Sequence, residues 1–134
     1  MMKRRISFFR AAQVAARAAD DKKAEQVSLY DVGRSSSIVD YFIVATVESS
    51  AHASAVEEEI DRCVTPVLGT GRVRRDGGGR VSWRVLDYGG LIVHLMSEAL
   101  REYYDLERLW ESARPVAWEE NESKLESSPR KKKR

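Results

Sequence analysis

The sequence predicts a single α/β domain, a mixed β-sheet of about five strands with helices flanking it. Three features carry this. An Ala-rich, helix-forming stretch opens the chain, a nearly continuous apolar and β-branched run at Tyr41–Val47 has the pattern of a strand covered on both faces, and two β-rich runs are joined by Gly89-Gly90. A chain of 134 residues has one domain as its prior and is long enough to bury a core.

The first helix is expected from about Ser7 to Lys23, with Phe9, Val14 and Ala18 sharing part of one face. Met1–Ala19 is basic and free of acids, the composition of an organellar transit peptide. It runs directly into an acidic patch and a strand without a processing boundary, so a helix of the domain is the preferred reading. Gln26–Val32 alternates Val27, Leu29 and Asp31 against Ser28, Tyr30 and Val32, which predicts a strand, and Gly33-Arg34-Ser35-Ser36-Ser37 predicts a loop. Tyr41–Val47 is then the central strand.

Ser49-Ser50 supplies an N-cap for a helix in which Val56, Ile60, Val64 and Val67 recur on the inner face. Glu57, Glu58, Glu59, Asp61 and Arg62 are placed on its wet side. Pro66 lacks an amide proton and is expected to end or kink the helix near Thr65. Two glycine-rich loops, Gly69-Thr70-Gly71 and Asp76-Gly77-Gly78-Gly79, flank a short segment Arg72–Arg75. Val81–Tyr88 and Leu91–Met96 form an antiparallel hairpin, since the two glycines between them tolerate the positive φ of a tight turn. Ser97 caps a helix through about Tyr104, and Asp105 can cap a further turn through Trp110. Beyond Ala117 the chain is rich in Glu, Ser and Lys and is expected to be a disordered tail.

The charge is uneven. Lys and Arg number 23 against 21 Asp and Glu, a net +2, yet residues 1–19 hold five basic residues and no acid, and the chain ends Arg-Lys-Lys-Lys-Arg. What lies between carries 13 basic residues against 21 acidic, a net −8. An acidic body with two basic ends is therefore the feature to explain. The lone Cys63 excludes an internal disulfide and a cysteine metal knuckle, points to a reducing compartment, and reads as a small core residue. No run of 18 apolar residues occurs, so no membrane partner is expected.

Catalytic patterns are incomplete. Gly33, Ser35, Asp40 and Asp87 mimic the layout of nucleotidyl transfer, which needs paired carboxylates around two metal ions. The residues two beyond Asp40 and Asp87 are Phe42 and Gly89, so neither strand supplies the second carboxylate. His94 lies in an apolar strand with no Gly-x-Ser-x-Gly turn, and reads as a hydrogen-bonded structural residue. The glycines of Gly69–Gly79 match no nucleotide-binding fingerprint. No metal, cofactor or catalytic residue is assigned.

The remaining signal is Trp83–Trp110. On the first hairpin strand Val81, Trp83, Val85 and Asp87 share one face, with Ser82, Arg84, Leu86 and Tyr88 on the other. The segment after the hairpin is dense in Tyr, Arg and Trp, the residue types that dominate interface hot spots. Leu106 and Leu109 are expected in the core. Arg101, Tyr103 and Trp110 are less obliged to be buried.

Three blocks in this order resemble the ribosomal silencing factor (Iojap-related) family: Asp31-Val-Gly-Arg-Ser-Ser-Ser-Ile-Val-Asp-Tyr-Phe-Ile-Val-Ala-Thr46, Trp83-Arg-Val-Leu-Asp-Tyr-Gly-Gly-Leu-Ile-Val-His-Leu-Met96 and Arg101-Glu-Tyr-Tyr-Asp-Leu-Glu-Arg-Leu-Trp110. The resemblance spans about residues 8–113. It implies a nucleotidyltransferase-like fold without the enzyme's carboxylates, a domain over 7–113 and a tail over 114–134 with a basic end. It also implies a cytoplasmic translational repressor, not an enzyme, that binds the large ribosomal subunit at its L14-type protein and sterically blocks joining of the small subunit. Motif positions here are Ser36, Asp40, Tyr41, Trp83, Asp87, Gly89, His94, Tyr104, Leu106, Glu107, Leu109 and Trp110. A partner-binding role carries over to Trp83, Asp87, His94, Tyr104 and Glu107, and Arg101 joins them from its place in the Tyr-, Arg- and Trp-rich segment.

The chain departs from the family twice, with Gly89-Gly90 in place of Gly-Asp and Ser49-Ser50-Ala51-His52 in place of a Ser-x-Arg-His opening. The basic C-terminal run lies outside the three blocks and is expected to contact ribosomal RNA. Oligomeric state stays open, a homodimer of the free protein included. The competing readings are a nucleotidyltransferase-like enzyme and a nonspecific nucleic-acid binder working through the basic run.

Overall fold

The computed structural model describes residues 2–33, 38–69, 74–76, 83–109 and 113–119. In chain order these form α1 (Met2–Asp21), β1 (Glu25–Asp31), β2 (Tyr41–Thr46), α2 (Ser50–Leu68), β3 (Arg74–Asp76), β4 (Trp83–Asp87), β5 (Leu91–Met96), α3 (Glu98–Tyr104), a single 3₁₀ turn (Leu106–Leu109) and β6 (Arg114–Val116). The strands make one sheet in the order β3-β4-β5-β2-β1-β6. Only the β2–β5 pairing is parallel; the other four are antiparallel. The mixed α/β class read from the sequence is the class observed.

The sheet gains one strand over the expected five. β6 pairs with β1, Leu29 opposite Val116, and just beyond it Trp118 is buried and donates its indole N–H to the carbonyl of Val27 at 3.0 Å. The boundary placed at 113 therefore falls short of the end of the sheet. A three-residue strand centred on a proline carries no alternation to recognise. The expected disordered tail lies almost wholly outside the described residues, as do the side chains of Leu109 and Trp110 and the loop Ser36.

β2 is buried along its whole length, as its unbroken apolar run predicts. One face of the sheet carries Leu29, Ile43, Leu86, Leu91, Val93 and Leu95 against α1 and α2. The inward face of α1 is dominated by Ala11, Ala12, Ala15, Ala16 and Ala19, each fully buried, with Ala18 of the expected stripe buried beside them. Phe9 and Val14 pack at its margin. Alanines bring helix axes close, so the Ala-rich stretch serves packing as much as helix propensity.

α2 is capped by the Ser49 side chain, which accepts from the His52 amide at 3.0 Å. It continues past Thr65 to Leu68, and Gly69, at φ 79°, closes it by donating to the Thr65 carbonyl. The helix tolerates Pro66 because the ring sits on the exposed side within the last turn, where one lost hydrogen bond falls to water.

Gly90 meets a close neighbour. A Cβ there would stand 2.6–2.8 Å from three ring carbons of Phe8 on α1. An aromatic side chain from α1 thus occupies the space that a side chain at this position would need. Gly90→Ala should destabilise the fold by about 1–3 kcal/mol, read as a lowered urea midpoint at unchanged m-value.

Candidate functional site

The second face of the sheet is covered on one side only. Val32, Val39, Phe42, Val44, Met96 and Leu106 form a smaller core there, roofed by α3 and the 3₁₀ turn. Register places Trp83, Val85 and Asp87 opposite Met96, His94 and Ile92 on this same face, and all of these except Met96 remain half-buried. The β4–β5 half of the face is an open strip.

At one end of this strip Trp83, His94 and Tyr104 come together. The Trp83 indole donates to His94 Nδ1 at 3.1 Å, and its ring centroid lies 4.9 Å from that of Tyr104. Tyr103 stacks edge-on against Tyr104 at 4.9 Å, and the two tyrosines are 79% and 48% exposed. A tryptophan bridging a strand to two exposed tyrosines is a large apolar surface with polar rims, the composition of a protein-docking hot spot.

His94 is the half-buried floor of this group, with Phe42 packed edge-on at 6.2 Å. Burial lowers its pKa to about 4. Accepting at Nδ1 puts the neutral ring's proton on Nε2. The unfolded chain takes up this proton near pH 6.5 and the folded chain only near 4, so stability is full above pH 6.5 and declines as pH falls toward 4. His94→Gln should flatten that decline in urea midpoints measured across the interval.

Arg101 and Glu107 form a second cluster, an ion pair of 2.8 Å, with their side chains 10% and 23% exposed. The Arg101 guanidinium also donates to the Gln26 carbonyl at 2.7 Å, Thr46 Oγ1 at 3.1 Å and Ser28 Oγ at 3.1 Å. Tyr30 donates to the same Glu107 oxygen at 3.4 Å, and burial, then the Glu107 charge, raises the tyrosine's pKa. Both residues face into the fold, where the sequence placed them at a partner.

Asp87 stands apart from both clusters, at the far end of β4. Its carboxylate accepts from the Gly89 amide at 2.8 Å, with Gly89 at φ 96°, and so fixes the hairpin turn. Ile38, 74% exposed, sits in the segment leading to β2, beside the Asp40 amide that donates to Gly90. Nothing in the Ser-rich loop before Ile38 signals an exposed apolar side chain.

Two acids expected on the wet side of α2 instead bond to residues of the sheet and hairpin. Glu57 is 2% exposed and pairs at 3.1 Å with Arg84, itself 4% exposed, on the α2 side of the sheet. Asp61 accepts from the hydroxyl of buried Tyr88. Alternation on β4 puts Arg84 on the inner face, and an inward guanidinium needs an anion from the helix above it. Cys63 packs at the margin of the core, and burial pushes its thiol pKa up.

Among the described residues no three His, Cys, Asp or Glu side chains are grouped to hold a metal ion, and no helix is long and apolar enough to cross a membrane. The family described as "Ribosomal silencing factor during starvation" matches residues 6–134. The chain belongs to the ribosomal silencing factor family. A ribosomal silencing factor of Treponema pallidum is 39% identical over 105 residues, covering 75% of this chain and 90% of its own. One from Halalkalibacterium halodurans is 35% identical over 107 residues, with 80% and 91% covered. A crystal structure of a Chromobacterium violaceum protein superposes with a TM-score of 0.70 at 28% identity, covering 80% of this chain and 88% of that one. The family match reaches the last residue, past the 113 or so at which the resemblance read from the three blocks stops. Membership in the ribosomal silencing factor family makes the chain a ribosome-associated regulator of translation.

Proposed function

We propose that this protein represses translation by binding the large ribosomal subunit at its L14-type protein and standing in the way of the small subunit. The observation that carries the reading is the open strip of the sheet ending in Trp83, Tyr104 and Tyr103, a surface too aromatic to be left in water without a partner. Trp83 and Tyr104 are the anchors. His94 holds Trp83 from beneath, Asp87 shapes the far end of the strip, and Arg101 and Glu107 lie behind it.

Occlusion needs affinity and placement, with no bond made or broken, and the protein acts in the cytoplasm as a binding module, not an enzyme. Outside residues 1–19, which make up most of α1, and the basic end, the chain carries a net −8, and that acidic part suits a basic ribosomal protein, whose encounter it speeds in a salt-dependent way. The terminal Arg-Lys-Lys-Lys-Arg is a tether to nearby ribosomal RNA.

The test is sedimentation. Purified protein should travel with isolated large subunits and, added before mixing, leave large and small subunits apart. No binding at low salt would sink the reading. Deleting residues 130–134 should weaken binding and make its salt dependence shallower, because fewer phosphate counterions are released. An unchanged salt slope would show that the tail touches no RNA.

A further inference from the structure

The exposed tyrosines ride on an element with little to hold it. α3 has seven residues and none of them is buried; Leu100 is partly packed, and Leu106 of the 3₁₀ turn is the nearest fully seated apolar side chain. A short helix with so small an apolar footing is marginal by itself. What fastens it to the sheet is Arg101, which reaches β1 at Gln26 and Ser28, β2 at Thr46, and the 3₁₀ turn at Glu107.

Both ends of this fastening are shaped for it. In β1 the register slips between Glu25 and Ser28, and Gln26 sits at φ 51°, a left-handed conformation that disfavours side chains other than glycine. The carbonyl of that strained residue is the one Arg101 takes at 2.7 Å. Between Arg101 and Glu107 the chain turns at Asp105, also left-handed at φ 51°, whose amide donates to the Arg101 carbonyl. Two strained residues are thus kept where the guanidinium network needs them.

We infer that Arg101 and Glu107 form a latch that positions α3, and with it the Tyr104–Trp83 surface, without touching the partner themselves. The inference rests on the reading of that surface as the docking site. With the latch closed, Tyr104 is held against Trp83 before any partner arrives, and binding is spared the cost of ordering it. With the latch removed, α3 opens locally while the sheet and the α1–α2 layer stay closed.

The experiment is made first on the free, full-length chain. In Arg101→Ala, amide hydrogen exchange over residues 98–109 should speed up by about tenfold or more, the effect of losing charge-assisted hydrogen bonds. The NMR resonance of the Trp83 indole N–H should move, while that of Trp118, which bonds Val27 behind the opposite face, should not. Affinity for isolated large subunits should then fall. Exchange and Trp83 resonance unchanged in the free variant, with binding lost, would make Arg101 a partner contact and overturn the latch. If both indoles move because Arg101→Ala unfolds, Glu107→Gln decides: faster exchange confined to 98–109 supports the latch, and wild-type exchange there overturns it. Because exchange is read without ribosomes, a wild-type protein that failed to bind large subunits would refute the docking reading separately.

Discussion

Arg84→Met is expected to destabilise the protein by about 3–5 kcal/mol, the usual cost of breaking a buried ion pair from one side, and to lower Tm by more than about 10 °C. Arg84 spans the gap between β4 and α2, its two terminal nitrogens bonding Glu57 and Ser54 on one side and the Ser50 carbonyl and hydroxyl on the other. Without the guanidinium, the Glu57 carboxylate keeps its burial and loses its counter-charge. The double variant Arg84→Met, Glu57→Leu should recover most of the loss, since no charge is then left inside. Urea unfolding of the two single variants and the double one measures the coupling, and strictly additive effects would mean that the pair does not act as a unit.

Trp83→Ala should weaken binding to large subunits by about thirtyfold or more, the scale of a hot-spot residue worth at least about 2 kcal/mol. The ring contacts both Tyr104 and His94, so its loss removes the anchor and leaves the tyrosines without their backing. Tyr104→Ala should act in the same direction with a smaller effect. Far-UV circular dichroism should stay native in both, because neither residue belongs to the α1–α2 core. Affinity unchanged in Trp83→Ala would move the docking surface off this strip.

Much of this is written in local pattern. The all-apolar run of β2, the glycine-linked hairpin and the serine caps of α2 and α3 are determined within a few residues of chain, and the structure has them where periodicity and cap chemistry put them. Trp83 was legible as a surface candidate for the same reason, since residue type and alternation suffice to nominate it, whereas Tyr104 is nominated only by the family resemblance. β6 was not, because a three-residue edge strand exists only through its partner β1. Glu57 was misplaced for a related reason. An acid at an outward-looking helical position belongs in water unless another element brings a cation to it, and Arg84 lies 27 residues further along the chain.

Arg101 shows the same division within the site. Its neighbours Tyr103 and Tyr104 mark it as part of a binding segment, but its acceptors Gln26, Ser28 and Thr46 come from strands more than fifty residues earlier. By itself the sequence determined the α/β class, the central strand, the hairpin and the aromatic segment, through hydrophobic period, turn chemistry and capping that act over short range. Only the tertiary structure decided which charged residues face inward, which face of the sheet stays open, and that Arg101 and Glu107 hold each other. A charge is stabilised by whatever group lies within a few ångströms in space, and the chain's linear order does not record that distance.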